Sequence, residues 1–383
     1  MRRLSVCLLA CLALSSCLGA RAKVKHPEVA HDVTSLTLVG QFSFPPNNRY
    51  PPVLGLPFGG ISGLATRNEG LELYGISDAQ MGGQIYGFEL TLPGSDPNSM
   101  RVHPISMFAL AMSPGDDMPD HEGIAWLPDG TVAVSAEGTT RVPRQPPSVN
   151  IYSRYGDFVR RLAIPEKFVP EPTGQETRGA RGNAGFESLT LTPDGKRLFT
   201  AVETALIQDG ESATFTGGAR TRILEFDARH GSYEPAREFA YDIEPLVATD
   251  FKAKSAFNGL VDMTALSGGT LLALERAFVE DGEDDSHSIA TIRIFKIDLS
   301  AATNIAALDS ISGHSEIVPV KKTLVLDLAT VPNLSPELTP SLDNFEGMTF
   351  GPRLPDGRAT LLLVSDDNFS GKERTWFLMF AIQ

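Results

Sequence analysis

The stretch Glu122–Glu137, EGIAWLPDGTVAVSAE, contains two short apolar runs on either side of a Pro-Asp-Gly turn, with an acid at each end. Proline presets the backbone for a type I turn, and glycine takes the left-handed position that follows, so the stretch predicts a β-hairpin. A carboxylate is costly to bury where a strand enters a core. The two acids therefore mark a special position in this hairpin.

The same arrangement occurs five times: a polar residue, an apolar run, a glycine-containing turn, a second apolar run and an acid. The five stretches are Ser62–Asp78, Glu122–Glu137, Glu187–Glu203, Asp262–Glu275 and Glu346–Asp366. Two more strand-like runs follow each of the first four, with polar–apolar alternation in RILEFD (222–227) and RIFKIDL (293–299). Four antiparallel strands that repeat at intervals of about 60–85 residues predict a β-propeller.

The two ends of the chain predict how the ring closes. Only one strand-like run, TWFLMFAI (375–382), follows Asp366, whereas the run Asp32–Phe44 has no hairpin of its own. We expect the N-terminal run to complete the last unit, because closure removes exposed sheet edges. The predicted fold class is all-β: one propeller domain over residues 32–383, with four-stranded antiparallel blades and very little helix. Five units are detectable, and a sixth is possible within Ser300–Leu342.

The N-terminal 20 residues are typical of an export signal. Arg2 and Arg3 precede the apolar run Leu4–Leu14, and small residues follow. The sequence LSSC (14–17) resembles a bacterial lipobox, in which Cys17 would be lipidated; cleavage near Ala20 is the alternative. We therefore expect a periplasmic or cell-envelope lipoprotein, or else a secreted protein. Because no later run of about 18 apolar residues exists, membrane contact is expected only through Cys17.

Composition excludes several classes of function. All three cysteines lie in the first 17 residues, so the mature domain has neither a disulfide nor a thiol nucleophile. A net charge of −14 argues against nucleic acid as a partner and repels anionic substrates unless cations are bound. The sequence lacks G-x-S-x-G, H-E-x-x-H, P-loop and G-x-G-x-x-G motifs. We expect a monomer that acts on a small molecule, possibly an anionic one.

The polar residues of each hairpin are centred on its turn, so we expect them to lie nearly opposite each other at the end away from the turn. In a propeller the first strand of each blade lines the central channel, and these positions should converge at one mouth. Like charges that face each other are unfavourable, so this ring of acids needs something that offsets its negative charge. The candidates are basic side chains such as Arg141, Arg276 and Arg374, raised pKa values, or a bound cation.

Oxygen-only ligands favour Ca²⁺ or Mg²⁺, and we predict Ca²⁺. The predicted metal ligands are Asp78, Glu122, Glu137, Glu187, Glu203, Asp262, Glu275, Glu346 and Asp366. His121 and Glu122 are the candidates for catalytic acid–base work. The alternative is that the acids are structural and accept backbone amide hydrogen bonds at the blade ends.

Several phrases together are similar to one known family. HEGIAWLPDG, GFESLTLTPDGKRLFTAVE, NGLVDMTALSGGTLLALER, DNFEGMTFGPRLPDG and LLLVSDDNF resemble the exported bacterial family called esterase-like activity of phytase, from about Gly59 to the C-terminus. The resemblance implies a phytase-like propeller and a hydrolase of phosphoesters or esters. Propeller phytases hold several Ca²⁺ ions on channel carboxylates, although their basic phosphate-binding residues do not match this sequence one by one.

Three functions remain open on the sequence alone. The first is a Ca²⁺-dependent hydrolase of phosphoesters or related esters. The second is a non-catalytic cell-envelope binding propeller with structural channel acids. The third is a lactonase-like metal propeller that acts on an uncharged ester.

Overall fold

The computed structural model describes residues 32–46, 58–79, 82–115, 119–284, 287–338 and 341–383. Within these residues the chain forms 20 strands in five four-stranded antiparallel sheets, and the sheets are the blades of a five-bladed β-propeller. Helical structure in the described ranges consists of six three-residue 3₁₀ turns, and none of them could span a membrane. The predicted signal at residues 1–20 and the candidate lipidation site Cys17 lie outside the described residues.

Four blades follow the order of the chain, and the fifth combines its two ends. The first blade contains β2 (Ile61–Arg67), β3 (Glu72–Ser77), β4 (Gln84–Thr91) and β5 (Arg101–Ala109). The second contains β6 (His121–Trp126), β7 (Val132–Ala136), β8 (Ser148–Tyr152) and β9 (Phe158–Arg161). The third contains β10 (Thr190–Leu191), β11 (Arg197–Ala201), β12 (Ala219–Arg229) and β13 (Ser232–Ile243). The fourth contains β14 (Ala253–Ala265), β15 (Thr270–Asp281), β16 (Ser288–Asp298) and β17 (Lys321–Asp327). The fifth contains β18 (Asn344–Gly351), β19 (Thr360–Asp366), β20 (Thr375–Ile382) and β1 (Leu36–Phe44).

The N-terminal strand closes the ring, as predicted. β1 pairs antiparallel with β20 along its whole length, from Leu36 opposite Ile382 to Phe44 opposite Thr375. The Phe44 ring then packs against Phe58 at a centroid distance of 4.6 Å, which ties this strand to the first blade. This pairing makes β20 an interior strand of the fifth sheet, with β1 as the outermost strand.

The core lies between the blades rather than within any one of them. Leu274 of the fourth blade and Leu363 of the fifth share one buried apolar cluster, and Ala133 of the second blade and Leu198 of the third share another. Strands near the hub are buried on both faces, as β7 (Val132–Ala136) is along its whole length, whereas β16 alternates buried and partly exposed residues. Each large side chain buried in this way contributes about 1.5–3 kcal/mol.

The segment Ser300–Leu342 does not form a sixth blade. Residues 300–320, which we call the strap, leave the fourth blade after β16 and lie along the outer strand β13 of the third blade. Ile305 N donates to Glu238 O at 2.9 Å, and Val320 N donates to Ala240 O at 2.9 Å. The strap therefore covers a sheet edge that would otherwise expose unpaired backbone groups.

The inner hairpins are not symmetric about their turns. The register shifts in the inner strand at the polar position, for example between Ile61 and Gly63 and between Phe345 and Gly347. This is a β-bulge, in which an extra residue in one strand bends it and redirects its side chains. The two polar residues of each hairpin, predicted to lie nearly opposite each other, are therefore offset along the strands by the bulge.

The second acid of each hairpin aligns instead with the residue two positions before the first polar residue. Backbone hydrogen bonds and strand register place these partners side by side: Asp78 with Gly60, Glu137 with Asp120, Glu203 with Gly185, Glu275 with Leu260, and Asp366 with Asn344. The offset is the same in all five blades. It brings Asp120 level with Glu137, although the symmetric hairpin would have placed Glu122 there.

Glycine follows the polar residue in three of the hairpins because adjacent inner strands nearly touch there. A Cβ atom at Gly123 would lie 2.5 Å from Leu189 N of the next blade, and one at Gly63 would lie 2.3 Å from Glu122 O. These glycines thus set how closely the blades converge at the hub, on the inner side of the ring of polar residues.

Candidate functional site

A cavity of about 350 Å³ lies at the hub, on the side where the five hairpins begin and end. Of the described residues, eight carboxyl side chains and two arginines line it: Asp78, Asp120, Glu122, Glu137, Glu187, Glu203, Glu346, Asp366, Arg141 and Arg276. Neutral polar groups from Ser62, Thr139, Thr140, Asn183 and Asn368 complete the lining. A smaller cavity of about 50 Å³ lies beyond the glycines, nearer the hairpin turns, and shares no lining residue with the first.

Seven of the nine predicted metal ligands reach this acid-lined cavity. They are Asp78, Glu122, Glu137, Glu187, Glu203, Glu346 and Asp366. Asp120, which was not among the predicted ligands, joins them because the bulge aligns it with Glu137. Its signal in the sequence was its position two residues before the polar residue of its hairpin.

Carboxylate oxygens gather most closely on the second and third blades. One oxygen each from Asp120, Glu122 and Glu137 lie within 4.8 Å of one another, and so do oxygens from Glu137, Glu187 and Glu203. We call these the first and second carboxylate clusters. Glu137 belongs to both, and its Oε1 also accepts a hydrogen bond from Gly185 N at 3.2 Å. Ligands around a Ca²⁺ ion at about 2.3–2.6 Å have comparable separations, so each cluster is compact enough to hold a cation.

The carboxyl groups are difficult to ionise together. Burial is the main cause that raises the pKa of Asp78 to about 8, and the nearby charges of Asp120, Glu346 and Asp367 contribute to that rise. Burial likewise raises the pKa of Asp120 to about 7, with help from Glu137 and Glu346. These values lie where a buried carboxyl group carries its proton near neutral pH unless a cation replaces it.

The acids within the clusters show the same effect. Burial raises the pKa of Glu122 and of Glu187 well above the ordinary range, and the other cluster carboxylates add to the shift. Burial also raises the pKa of Glu203 to about 8, although the Arg276 guanidinium opposes this rise. Shifts of this kind at a concave site mark a candidate functional centre.

The fourth blade neutralises its own acids. The Glu275 carboxylate accepts a hydrogen bond from the Tyr241 hydroxyl at 2.7 Å and pairs with the Lys322 ammonium. Lys322 also lies 4.0 Å from the ring centroid of Phe295. The structure therefore places Glu275 outside the cavity, where a lysine from β17 supplies the positive charge.

The other acid of this hairpin, Asp262, has a structural position. Asp262 Oδ1 accepts from Met263 N at 2.7 Å, and its Oδ2 accepts from Met348 N of the fifth blade at 2.6 Å. It is buried between the two blades and does not line the cavity. Asp262 thus matches the alternative in which an acid caps backbone amides at a blade end.

The two predicted catalytic residues lie in different environments. Glu122 lines the cavity within the first cluster. His121 is buried, and its ring packs so closely on Gly83 that a Cβ atom there would lie 2.5 Å from the imidazole Nδ1. His121 is not among the residues that line the cavity, so an acid–base role for it stays a prediction without support from its position.

A pH prediction follows from the raised pKa values of Asp78, Asp120 and Glu203. Between the ordinary carboxyl pKa near 4 and the folded values of about 7–8, the native state binds more protons than the unfolded state. The free energy of unfolding of the metal-free protein should therefore fall as pH rises from about 4 to 8. In thermal melts with EDTA we expect the melting temperature to decrease steadily between pH 5 and pH 8.5.

Added calcium should remove most of that decrease, because a cation binds the ionised carboxylates. The same melts with Ca²⁺ at each pH provide the comparison. A melting temperature in EDTA that is constant or rises over this range would contradict the burial of ionisable carboxyls at the hub.

A five-bladed propeller with an acid-lined cavity at its hub and oxygen-only ligand clusters defines a class of propeller proteins with a candidate cation site. Residues 56–369 match the protein family described as "Phytase-like: Esterase-like activity of phytase". Because this match covers most of the chain, the chain belongs to that family.

One curated protein has a similar sequence, but only over part of this chain. A protein of Arthroderma benhamiae named "Uncharacterized secreted protein" is 32% identical over 115 residues, which are 28% of this chain and 22% of the relative. The matched region is thus about a fifth of that relative's length.

Among solved structures, the hydrazine synthase of Kuenenia stuttgartiensis is similar over 91% of this chain and 80% of its own, with 12% identity and a TM-score of 0.34. The periplasmic gluconolactonase of Pseudomonas aeruginosa is similar over 94% of this chain and 96% of its own, with 13% identity and a TM-score of 0.34.

Proposed function

We propose that the protein is an exported, cation-dependent hydrolase of phosphoesters or related esters, with Ca²⁺ as the favoured ion. The observation that carries the proposal is the pair of carboxylate clusters joined by Glu137 at the hub. The family description, which names esterase-like activity of phytase, supports the reaction class. The word "secreted" in the name of the fungal relative supports export. Lipidation at Cys17 and a monomeric state are part of the proposal and rest on the sequence.

The donor set suits a hard cation. Asp120, Glu122, Glu137, Glu187 and Glu203 would hold it through carboxylate oxygens alone, which is the preference of Ca²⁺ rather than of zinc. Two further oxygens point to a polar occupant, because Ser62 Oγ and Asp78 Oδ1 are buried without a hydrogen-bond partner among the described residues. Ser62 is 5% exposed, and both residues line the cavity. When bound, such a cation polarises an ester oxygen and lowers the pKa of a water molecule.

The charges and hydrogen-bonding groups of the cavity determine which substrates it can bind. Eight carboxyl groups face two arginines in the cavity, so its field repels an anion until cations offset that charge. Of the two catalytic candidates, Glu122 lines the cavity, and its raised pKa lets it hold a proton only while it does not bind the cation. Ser62 Oγ offers a neutral hydrogen-bond donor on the first blade, next to the second blade that carries the first cluster.

One observation favours the non-catalytic alternative for part of the ring. Asp262 and Glu275 are fully engaged with backbone amides, Tyr241 and Lys322, as structural acids would be. A propeller in which every hub acid had such partners would be a binding module. The clusters on the second and third blades are what separates this chain from that case.

Removal of calcium tests the proposal directly. Saturating Ca²⁺ should stabilise the mature protein by about 2.7 kcal/mol at one hundred times its dissociation constant, which scanning calorimetry with Ca²⁺ or EDTA will detect. Hydrolysis of p-nitrophenyl phosphate, p-nitrophenyl acetate and a δ-lactone should depend on Ca²⁺ in the same samples. If EDTA changes neither the melting temperature nor any hydrolysis, the proposal is wrong. Stabilisation without hydrolysis indicates the binding module, and activity on the lactone alone indicates the lactonase-like alternative.

A further inference from the structure

Arg276 is the cavity arginine whose contacts single it out. Its side chain is 14% exposed, and its Nη2 lies 3.0 Å from Glu346 Oε1 and 3.4 Å from Glu203 Oε1. A single nitrogen atom, Nη2, therefore contacts both carboxylates. The Arg276 Nε is buried and has no hydrogen-bond partner among the described residues. Since a guanidinium carries five N–H donors in a rigid fork, this side chain has donating capacity beyond its two contacts.

The neighbouring residues hold Arg276 over the cavity. Its guanidinium carbon lies 5.6 Å from the ring centroid of Phe278, two residues further along β15. Gly259 is its partner across the strand pair, and a Cβ atom at Gly259 would lie 2.5 Å from Glu203 Cγ. The glycine therefore leaves the space through which Glu203 reaches Arg276.

The two carboxylate partners of Arg276 differ in what else they contact. Glu203 belongs to the second cluster, whereas Glu346 belongs to neither cluster. A divalent cation on the second cluster would neutralise Glu203 and weaken its longer contact with the guanidinium. Glu346 would keep Arg276 in place at the cavity. The positive charge of Arg276, which lines the cavity, would then lie beside the bound cation with one of its two carboxylate contacts weakened.

We propose that Arg276 binds an anionic oxygen of the substrate, and that cation binding at the second cluster is what frees it to do so. This inference rests on the proposed function, because it places the substrate in the same cavity. It also narrows the substrate class to molecules that carry a phosphate, phosphonate or carboxylate group. The paired fork of a guanidinium suits these groups better than a lysine would.

Titration calorimetry with methylphosphonate as the probe tests the inference without requiring turnover. We expect the Ca²⁺-loaded protein to bind the probe and the EDTA-treated protein to bind it at least about tenfold more weakly. Arg276→Gln should weaken probe binding by at least about tenfold in the presence of Ca²⁺ while leaving Ca²⁺ affinity unchanged or raising it. Arg276→Lys keeps the charge, and should weaken probe binding by a smaller factor. Arg358→Gln is the matched control, since that arginine pairs with Asp356 at an exposed hairpin turn.

The outcomes separate this inference from the proposed function. Wild-type probe affinity in both Arg276 variants overturns the inference, and so does probe binding that is independent of Ca²⁺. If the wild type binds Ca²⁺ and probe but hydrolyses no ester, the proposed function fails and the role of Arg276 in anion binding stands. Melting curves with Ca²⁺ show whether each variant is folded, and Arg276→Lys decides the question should Arg276→Gln fail to fold.

Discussion

Replacing Glu137 with glutamine is expected to abolish calcium binding at both carboxylate clusters and to lower hydrolysis by at least about 100-fold. Glu137 is the member common to the two clusters, so its charge contributes to each. Glutamine keeps the shape of the side chain and an oxygen that can still accept the hydrogen bond from Gly185 N. We therefore expect the variant to fold, and to show no rise in melting temperature on addition of Ca²⁺.

The control for this variant is the same substitution at the matching position of another blade. Glu275 ends the inner hairpin of the fourth blade as Glu137 ends that of the second, but it pairs with Lys322 outside the cavity. Glu275→Gln should leave the heat and stoichiometry of Ca²⁺ binding unchanged while lowering stability. Equal loss of Ca²⁺ binding in the two variants would contradict the separation of structural and cluster acids, and calorimetric titration measures it.

Replacing Arg222 with alanine is expected to destabilise the protein by about 3–5 kcal/mol. Arg222 is fully buried in the third blade, where its Nε lies 2.6 Å from Asp209 Oδ2 and its Nη1 lies 2.9 Å from Glu238 Oε2. Its guanidinium also donates to Leu308 O and Asp309 O of the strap. Alanine leaves the buried Asp209 carboxylate without its cation, leaves Glu238 paired with Lys167 alone, and loosens the strap. Denaturant unfolding of the two proteins measures the difference.

Arg229→Ala provides the comparison for Arg222. Arg229 ends the same strand, β12, and pairs with Asp227 at 3.4 Å, but about half of its side chain is exposed. An exposed pair of this kind contributes less than about 1 kcal/mol. Similar losses for the two arginine variants would show that burial does not govern the strength of these pairs. A loss for Arg222→Ala below 1 kcal/mol would show that the strap does not depend on it.

Much of the fold can be predicted from local sequence, because hairpins are local objects. Pro128-Asp129-Gly130 and its counterparts fix the turns, and the apolar runs on either side fix which runs pair as strands. Repetition of the unit then predicts the blades, and the unpaired strands at the two ends predict the closure by β1. Seven of the nine predicted ligands reach one cavity for the same reason, since equivalent positions in rotated copies of a unit converge at the hub.

The remaining features depend on residues far apart in the chain. Lys322, the lysine that neutralises Glu275, was not among the basic partners that the sequence suggested. Arg276 was among them, but its pairing with Glu203 of the preceding blade has no local pattern in the sequence. The extra residue of each bulge also cannot be predicted from the sequence, because it changes the hydrogen-bond register without changing the apolar pattern. Sequence alone therefore makes the ring appear uniform.

The sequence by itself determined the repeated four-stranded unit, the closure of the propeller and the presence of acids at one end of every hairpin, since turn chemistry and strand alternation act over a few residues. The number of blades, left at five or six by the sequence, was decided by the packing of residues 300–320 along β13. Only the tertiary structure decided which of those acids lack a protein cation. Asp262 and Glu275 find partners on neighbouring strands, whereas Glu137 is left among carboxylates of two blades. Charge pairing is decided by distances of a few ångströms between distant parts of the chain, and those distances exist only once the blades have packed.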